Sequence, residues 1–343
     1  MTIRTVTYHR LAPAQGFSLI ELMIAMLLGL VVIGGVTSVF LAGQQTYRSN
    51  EALGDVQDSS RIAFEMVARD VRDAGLAACN NDGRVANVLN NKASDWYADW
   101  NNALHGYDGS STATQTDPGV ATGTTEGLRV AGTDSVQVLS AGGMGLSVAD
   151  TPSGPAANFK LNESTNDLAS GDIIMVCDPD HAAIVQVTKQ NGSNVVLVHN
   201  TGNTVSPGNC SKGLGYPTVC SAVGTSYTFN KNSQIAKLTA ADWYIGNNPA
   251  GGRSLYKVSL TTSGGTISAT KQEMIRDIWD MQITYLQPGA AAFVAADAIT
   301  NWATVNAVRI ALTVRSANQR AGTDAKPLSR TFASTTTVRN RVL

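Results

Sequence analysis

Between Phe17 and Gly43 every side chain is uncharged except one, the carboxylate of Glu21. An acid at the centre of a membrane-crossing helix costs roughly 2.5–3.5 kcal/mol on insertion scales, and less near an end, so ionisable groups in such runs mark function. Glu21 stands near the start of the run, where an apolar helix has no packing need for it. The chemistry open to it is ion pairing, because a charge taken out of water is tolerable only beside an opposite charge.

The thiols are Cys79, Cys177, Cys210 and Cys220. None lies in a C-x-x-C pair and no histidine stands at zinc-finger spacing from them, so an even count favours disulfides in an exported chain. Cys210 and Cys220 bracket the short loop Ser211–Val219, which suits a local bridge and would leave Cys79 and Cys177 as a long-range pair. Four cysteines permit three connectivities, and the sequence does not choose among them.

The histidines, His9, His105, His181 and His199, form no H-E-x-x-H, and there is no G-x-S-x-G elbow and no P-loop. Asp178-Pro179-Asp180-His181 could sketch a metal site, but two acids and a histidine in a turn are more often plain solvated polar groups. No EF-hand spacing occurs. The expectation is a protein that is not an enzyme and carries no metal or cofactor.

The elements that hold these groups begin with the apolar run. At 1.5 Å per residue, residues 17–43 span roughly 40 Å as a helix, more than the ~30 Å of a bilayer's hydrocarbon. Residues 1–16 carry Arg4, His9 and Arg10 and no acid, which by the positive-inside rule puts the N-terminus in the cytoplasm. A secretory signal would have a shorter apolar core followed by its cleavage site. A plain anchor explains the length of the run but not Glu21.

The string Gln15-Gly16-Phe17-Ser18-Leu19-Ile20-Glu21-Leu22 resembles the processing motif of the type IV prepilin family. The resemblance implies a leader over residues 1–16, cut after Gly16 by a prepilin peptidase, with Phe17 becoming the N-methylated mature N-terminus. It also implies that Glu21, fifth in the mature chain, faces the N-terminal amine of a neighbouring subunit during assembly. Where many pilins carry a proline in the outer half of this segment, residues 17–75 here have none.

From residue 44 to about 76 the pattern stays helical but becomes amphipathic. Leu53, Val56, Ala63, Val67, Val71 and Ala74 share one face, and Glu65–Arg69 and Arg69–Asp73 stand at i,i+4 on the other. Gly54 and Asp58-Ser59-Ser60 could interrupt the helix; Gly75 and Asn80-Asn81-Asp82-Gly83 should end it. Residues 77–343 read as one β-rich head. Val308, Ile310, Leu312 and Val314 alternate with polar neighbours, as do Trp279, Met281, Ile283 and Tyr285. Short strands are expected at Asp172–Cys177, Ala183–Thr188 and Val195–His199, punctuated by Pro179 and Asn191-Gly192. A hairpin is expected at Asn247-Asn248-Pro249 with Gly251-Gly252, and exposed loops at Asp108–Gly127 and Gly142–Asn158. The fold class is therefore α+β and pilin-like, a long N-terminal helix with a transmembrane half and an amphipathic half, packed on a β-rich head.

Further strings are similar to the PilW-type minor pilins, a group related to the J-type pseudopilins of type II secretion. They are Asp70-Val71-Arg72-Asp73-Ala74-Gly75 with Cys79 soon after, Gly171–Val187 with Cys177, and Ala307-Val308-Arg309-Ile310 followed by Val314-Arg315-Ser316. The terminal Thr335-Thr336-Thr337-Val338-Arg339-Asn340-Arg341 also fits. The implied role is a structural subunit that helps initiate a type IV pilus. Such a subunit resides in the inner membrane with a periplasmic head and then enters the pilus. Its implied partners are prepilin peptidase, other minor pilins, the major pilin, the inner-membrane platform and a tip adhesin. The alternatives are a type II secretion pseudopilin and a filament-displayed adhesin or DNA-binding module.

Composition limits the last of these. Charged residues make up 15% of the chain and the formal net charge is −1, so no global field recruits nucleic acid. The last 35 residues do hold seven bases against Asp324 alone, but only Phe332 interleaves them in sequence. They read as the polar face of edge strands, where cations discourage sheet-to-sheet aggregation. Of the binding alternatives for these bases, a partner pilin ranks ahead of nucleic acid.

Overall fold

The computed structural model describes residues 16–79, 84–110, 112–150, 157–164, 167–191, 195–322 and 324–341. The leader through Gln15, the Asn80–Gly83 cluster and the Gly192 turn position lie outside these residues.

One helix, α1 (Leu19–Arg72), runs for 54 residues, about 80 Å at 1.5 Å per residue. Gly54 and Asp58-Ser59-Ser60 do not break it, since an isolated glycine costs only about 1 kcal/mol against alanine and tertiary packing overrides that. It ends at Arg72 rather than near Leu76. Asp73 caps it, and Gly75 then turns the chain at φ +69°, a left-handed conformation open to glycine.

The outer half of α1 is the packed half. Its buried stripe is Ala52, Val56, Ser60, Ala63, Val67 and Val71, with Ala74 just beyond. Leu53, expected on this face, is 36% exposed, and Ala52 replaces it. The apolar half through Gly43 has no such stripe. Its leucines, isoleucines and valines are exposed throughout, and it is the one described helix long and apolar enough to cross a membrane.

Among the described residues the head has fourteen strands. They are β1 (Arg84–Asn87), β2 (Leu104–Tyr107), β3 (Ser135–Asp150), β4 (Asn158–Leu161), β5 (Ile173–Cys177), β6 (His181–Gln186) and β7 (Lys189–Asn191). The rest are β8 (Val196–Val198), β9 (Gln234–Asn247), β10 (Arg253–Ser263), β11 (Thr266–Arg276), β12 (Ile278–Leu286), β13 (Ala307–Arg315) and β14 (Ser329–Thr337). Eleven strands join in the order β1-β6-β5-β9-β3-β4-β8-β7, with β10 and β11 attached to β9 and β2 to β3; the last three make a separate antiparallel sheet, β12-β13-β14. The hairpin at Asn247–Gly252 joins β9 to β10.

Two sequence expectations fail here for local reasons. Gly142–Asp150 is the outer part of β3, not a loop; a register shift between Gly143 and Leu146 lets this glycine-rich stretch keep pairing with β9. Trp279 does not share the inner face of β12. A bulge between Ile278 and Asp280 puts Ile278 inside and sends Trp279 out, where its ring lies 3.9 Å from the guanidinium carbon of Arg315 and 5.2 Å from that of Arg253.

The main core forms where α1 meets both sheets. Val56, Ala63, Val67, Val71 and Ala74 belong to one cluster with Trp243 of β9, Met281, Ile283 and Tyr285 of β12, and Val308, Ile310, Leu312 and Val314 of β13. Fully burying one such side chain stabilises by about 1.5–3 kcal/mol, so this face fixes α1 on the head. The last turn is tied further by Asp70, whose Oδ2 accepts from Lys257 Nζ at 2.7 Å and from Trp243 Nε1 at 2.9 Å. A second cluster, with Phe159, Ile174, Val176, Val185, Leu197 and Phe229, lies under β4, β5, β6 and β8.

Bridges join Cys79 to Cys177 and Cys210 to Cys220, at sequence separations of 98 and 10. The first fastens the segment after α1 onto β5. Closing a loop of this length removes about 4–5 kcal/mol of chain entropy from the unfolded state, against roughly 2–3 kcal/mol for the short loop. Cys79→Ser with Cys177→Ser should therefore lower the urea midpoint more than Cys210→Ser with Cys220→Ser. Non-reducing mass spectrometry of the unaltered chain should find both bridges within one molecule.

Candidate assembly site

α1 begins on an N-cap that the sequence spells as Ser18-x-x-Glu21, the signature of a capping box. Ser18 Oγ accepts from the Glu21 backbone N–H at 3.2 Å, and Glu21 Oε2 accepts in return from the Ser18 backbone N–H at 2.9 Å and from Ser18 Oγ–H at 3.0 Å. The carboxylate thus points back toward Phe17, at the end of the helix where its dipole favours an anion. Among the described residues no partner from the head reaches it. Phe17 is 89% exposed and Glu21 is exposed, so the group sits at the tip of a bare apolar rod. Ser18 is the residue that sequence reasoning missed, although its three-residue spacing from Glu21 was readable.

Gly16 precedes the helix, and a Cβ built on it would meet nothing within 4 Å. Neither crowding nor a left-handed backbone requires glycine there.

The other polar candidates serve the fold. Asp178 Oδ1 accepts from the backbone N–H groups of Asp180 and His181 at 3.1 and 2.9 Å, and Oδ2 accepts from Tyr227 Oη at 2.6 Å. His181 stacks on Tyr227 with ring centroids 4.0 Å apart, its Nε2 lying 2.6 Å from the Leu214 carbonyl. This is a packed turn. Among the described residues no group of three histidine, cysteine or acidic side chains is arranged to hold a metal.

His199 is buried, stacked on Phe159 at 4.7 Å, and burial pulls its pKa down to about 4. Its Nδ1 has no hydrogen-bond partner among the described residues. The unfolded chain takes up this proton near pH 6.5 while the folded chain resists until about pH 4. The stability it supports is thus full above pH 6.5 and falls as pH drops toward 4, by a few kcal/mol on the scale of about 1.4 kcal/mol per pH unit. His199→Phe, which keeps the stack, should flatten the acid side of a plot of urea midpoint against pH.

The sequence also gave no warning of a buried polar network beside the main core. Asp117 Oδ1 and Asp242 Oδ2 accept from the same Gln137 Nε2 at 2.9 and 3.1 Å, Ser135 Oγ donates to Asp117 Oδ2, and Arg129 lies 3.8 Å from that carboxylate. Burial, and then repulsion from Asp117, pushes the Asp242 carboxyl well above its ordinary range. The network pins this loop at Asp117 and Arg129, while most of residues 112–127 are exposed, as expected. Nearby, Asp134 accepts from the backbone N–H groups of Ile283 and Gly109 at 2.6 and 2.8 Å, tying the next loop to β12.

The C-terminal bases divide. Arg341 donates to the carbonyls of Trp302 and Val305 at 2.7 and 3.2 Å, and Arg339 lies 4.0 Å from Asp73, so both close the head onto α1 and the core. Arg309 lies over Phe293 at 4.3 Å and Arg315 over Trp279. Aromatic rings therefore do meet the bases, but they come from β12 and the loop after it. Phe332, opposite Leu312 in the β13–β14 register, packs against the main core instead.

Residues 12–37 match the prokaryotic N-terminal methylation motif, a stretch that contains Gly16, Phe17, Ser18 and Glu21. Residues 242–341 match the family described as Type IV Pilus-assembly protein W, a stretch that runs from the buried Asp242 through β14 to Arg341. Together the two matches support a type IV prepilin-like minor pilin. The helix that begins in the first match is packed farther along, through Val56, Ala63, Val67 and Val71, against β12 and β13 of the second. No curated protein and no solved structure matches the chain. A pilin of this kind works as a structural subunit among other pilus components, and the exposed apolar half of α1 suits it to membrane anchoring and to a place in a pilus.

Proposed function

We propose that this minor pilin helps to initiate type IV pilus assembly. It is cut after Gly16 by prepilin peptidase, N-methylated on Phe17, and docked through Glu21. In this reading residues 17–43 cross the inner membrane with the leader in the cytoplasm and the head in the periplasm. Residues 44–76 connect span to head, and residues 77–343 form that head. The observation that carries the reading is Glu21: one carboxylate at the tip of an exposed apolar rod, held among the described residues by its own cap alone.

Cleavage leaves an ammonium on Phe17, the residue next to the Ser18 cap. When such rods bundle, the apolar surface leaves lipid and the ammonium and the carboxylate both lose water. Each needs an opposite charge, and the cost of leaving one unpaired is about 3–5 kcal/mol. The capping box holds the Glu21 carboxylate at the end of its rod, so a neighbour's ammonium finds it without rearranging the helix. The pair then sets the axial register of an otherwise featureless apolar bundle. Its partners are other minor pilins and the major pilin, with the inner-membrane platform at the base and a tip adhesin above.

A type II secretion pseudopilin would share this N-terminal chemistry, but the match over residues 242–341 to a pilus-assembly family favours the pilus. Adhesion or DNA binding by the head would need an exposed recognition cluster, and the paired Arg309–Phe293 and Arg315–Trp279 stacks are the only observation that favours it. In vivo crosslinking followed by isolation of sheared filaments separates these readings. The proposal expects crosslinks to pilins in the pilus fraction. Crosslinks only to secretion pseudopilins would overturn it.

A further inference from the structure

The β13–β14 connection does not end in solvent; it climbs back along α1. Gln45 Nε2 lies 3.3, 3.3 and 3.1 Å from the carbonyls of Arg320, Ala321 and Gly322, and Ser49 Oγ donates to the Ala321 carbonyl at 2.5 Å. Ala321 is fully buried in this contact. The tip of the second sheet is therefore fixed at a defined height on the rod, within two helical turns past Gly43.

That height coincides with the outer surface of a bilayer. About 20 residues cross the hydrocarbon and the headgroup layer adds roughly 5–8 Å on each side, so a span entered near Leu19–Leu22 leaves the hydrocarbon near residues 39–42. Sequence and structure agree with this placement. Thr37 and Ser38 return their hydroxyls to the carbonyls of Ile33 and Gly35, as hydroxyls within an apolar span must. Beyond Phe40 and Leu41 the rod turns to Gln44, Gln45, Thr46, Tyr47 and Arg48, with Tyr47 69% exposed. An exposed tyrosine followed by an arginine is the usual composition of a membrane–water interface. Between the rod and the hairpin lies an open hollow of about 550 Å³, walled by Phe40, Gln44, Tyr47, Arg48, Glu51 and Asn318. Arg320 and Lys326 stand exposed on the tip beside it.

We propose that this hairpin tip is a foot that stands on the outer leaflet of the membrane, with a phospholipid headgroup in the hollow. Arg48, Arg320 and Lys326 reach the lipid phosphates, arginine through its planar fork and lysine as a point charge. Phe40 and Tyr47 lie against the upper acyl chain and glycerol. Glu51 and Asp324 offset two of the three cations, so the site takes ordinary phospholipid and does not depend on an anionic headgroup. The foot sets how far the rod protrudes before assembly and keeps the head from swinging. Leaving the membrane for a filament requires its release. The inference rests on residues 17–43 crossing the membrane, and the test separates the two.

The test uses the full chain in nanodiscs of phosphatidylethanolamine and phosphatidylglycerol. The four native cysteines are paired, so single added cysteines can be spin-labelled selectively. Labels at Gln319→Cys on the foot, Ile33→Cys inside the span and Ala269→Cys on β11 are compared for relaxation by headgroup-tethered nickel and by oxygen. The expected result is strong relaxation at 319 by the tethered nickel, several-fold above that at 269, with position 33 responding to oxygen instead. The same pattern should hold in phosphatidylcholine discs, and Arg320→Glu with Lys326→Glu should reduce the nickel effect at 319. If 33 is in the hydrocarbon but 319 is as remote from the headgroups as 269, the foot is wrong and the span stands. If 33 is not in the hydrocarbon, the membrane placement itself fails and the foot with it.

Discussion

Glu21→Ala should leave processing intact and remove the subunit from filaments. The argument is one of water. In the unassembled chain Glu21 is exposed and bonded to Ser18, so its loss costs the fold little more than a helix cap, about 1 kcal/mol. In a bundle the neighbour's ammonium would be left without a counter-charge, at about 3–5 kcal/mol, which corresponds to a fall in incorporation of more than 100-fold. Glu21→Gln separates the two contributions. The amide keeps an oxygen that can accept from Ser18, so the cap survives while the charge is gone, and incorporation should still fall. The ratio of chain in sheared filaments to chain in the membrane fraction reads both variants; normal incorporation of either would remove the charge pair from the account.

Gly16→Ala should leave the chain with its leader attached. A methyl group here meets nothing within 4 Å in the protein itself, and α1 starts only at Leu19. Folding and membrane insertion should be unaffected. In the peptidase, forcing one methyl into a closely fitted site costs about 1–3 kcal/mol, a slowing of roughly 5- to 150-fold. Immunoblots against time after synthesis should show the longer species persisting. Maturation of this variant at the ordinary rate would refute the assignment of Gly16. Because the uncut chain lacks the Phe17 ammonium, it should also be absent from filaments even with Glu21 in place.

How much of this was readable in advance differs along the chain. The apolar rod and its lone acid could be read because a membrane-length run needs no tertiary partner to declare itself. The strand of β13 was plain because Val308, Ile310, Leu312 and Val314 alternate without interruption. The pattern failed where one backbone irregularity reversed it. The bulge at Ile278/Asp280 turned Trp279 outward, and the shift at Gly143/Leu146 turned a glycine-rich stretch into strand. It also failed for Leu53, which is 36% exposed while Ala52 beside it is buried. Asp117 and Asp242 meet through Gln137 across separations of 20 and 105 residues, and no local signal encodes such a contact. The Ser18–Glu21 cap is a different matter, because its three-residue spacing is local and legible in the sequence itself.

The central claim is that this chain works through a new N-terminus created at Phe17. Mass spectrometry of the N-terminal peptide from the sheared pilus fraction tests it most directly. The account predicts a peptide that begins at Phe17 and carries one methyl on its amine. A peptide that runs unbroken across Gly16–Phe17, or one that begins beyond Gly43, would contradict it.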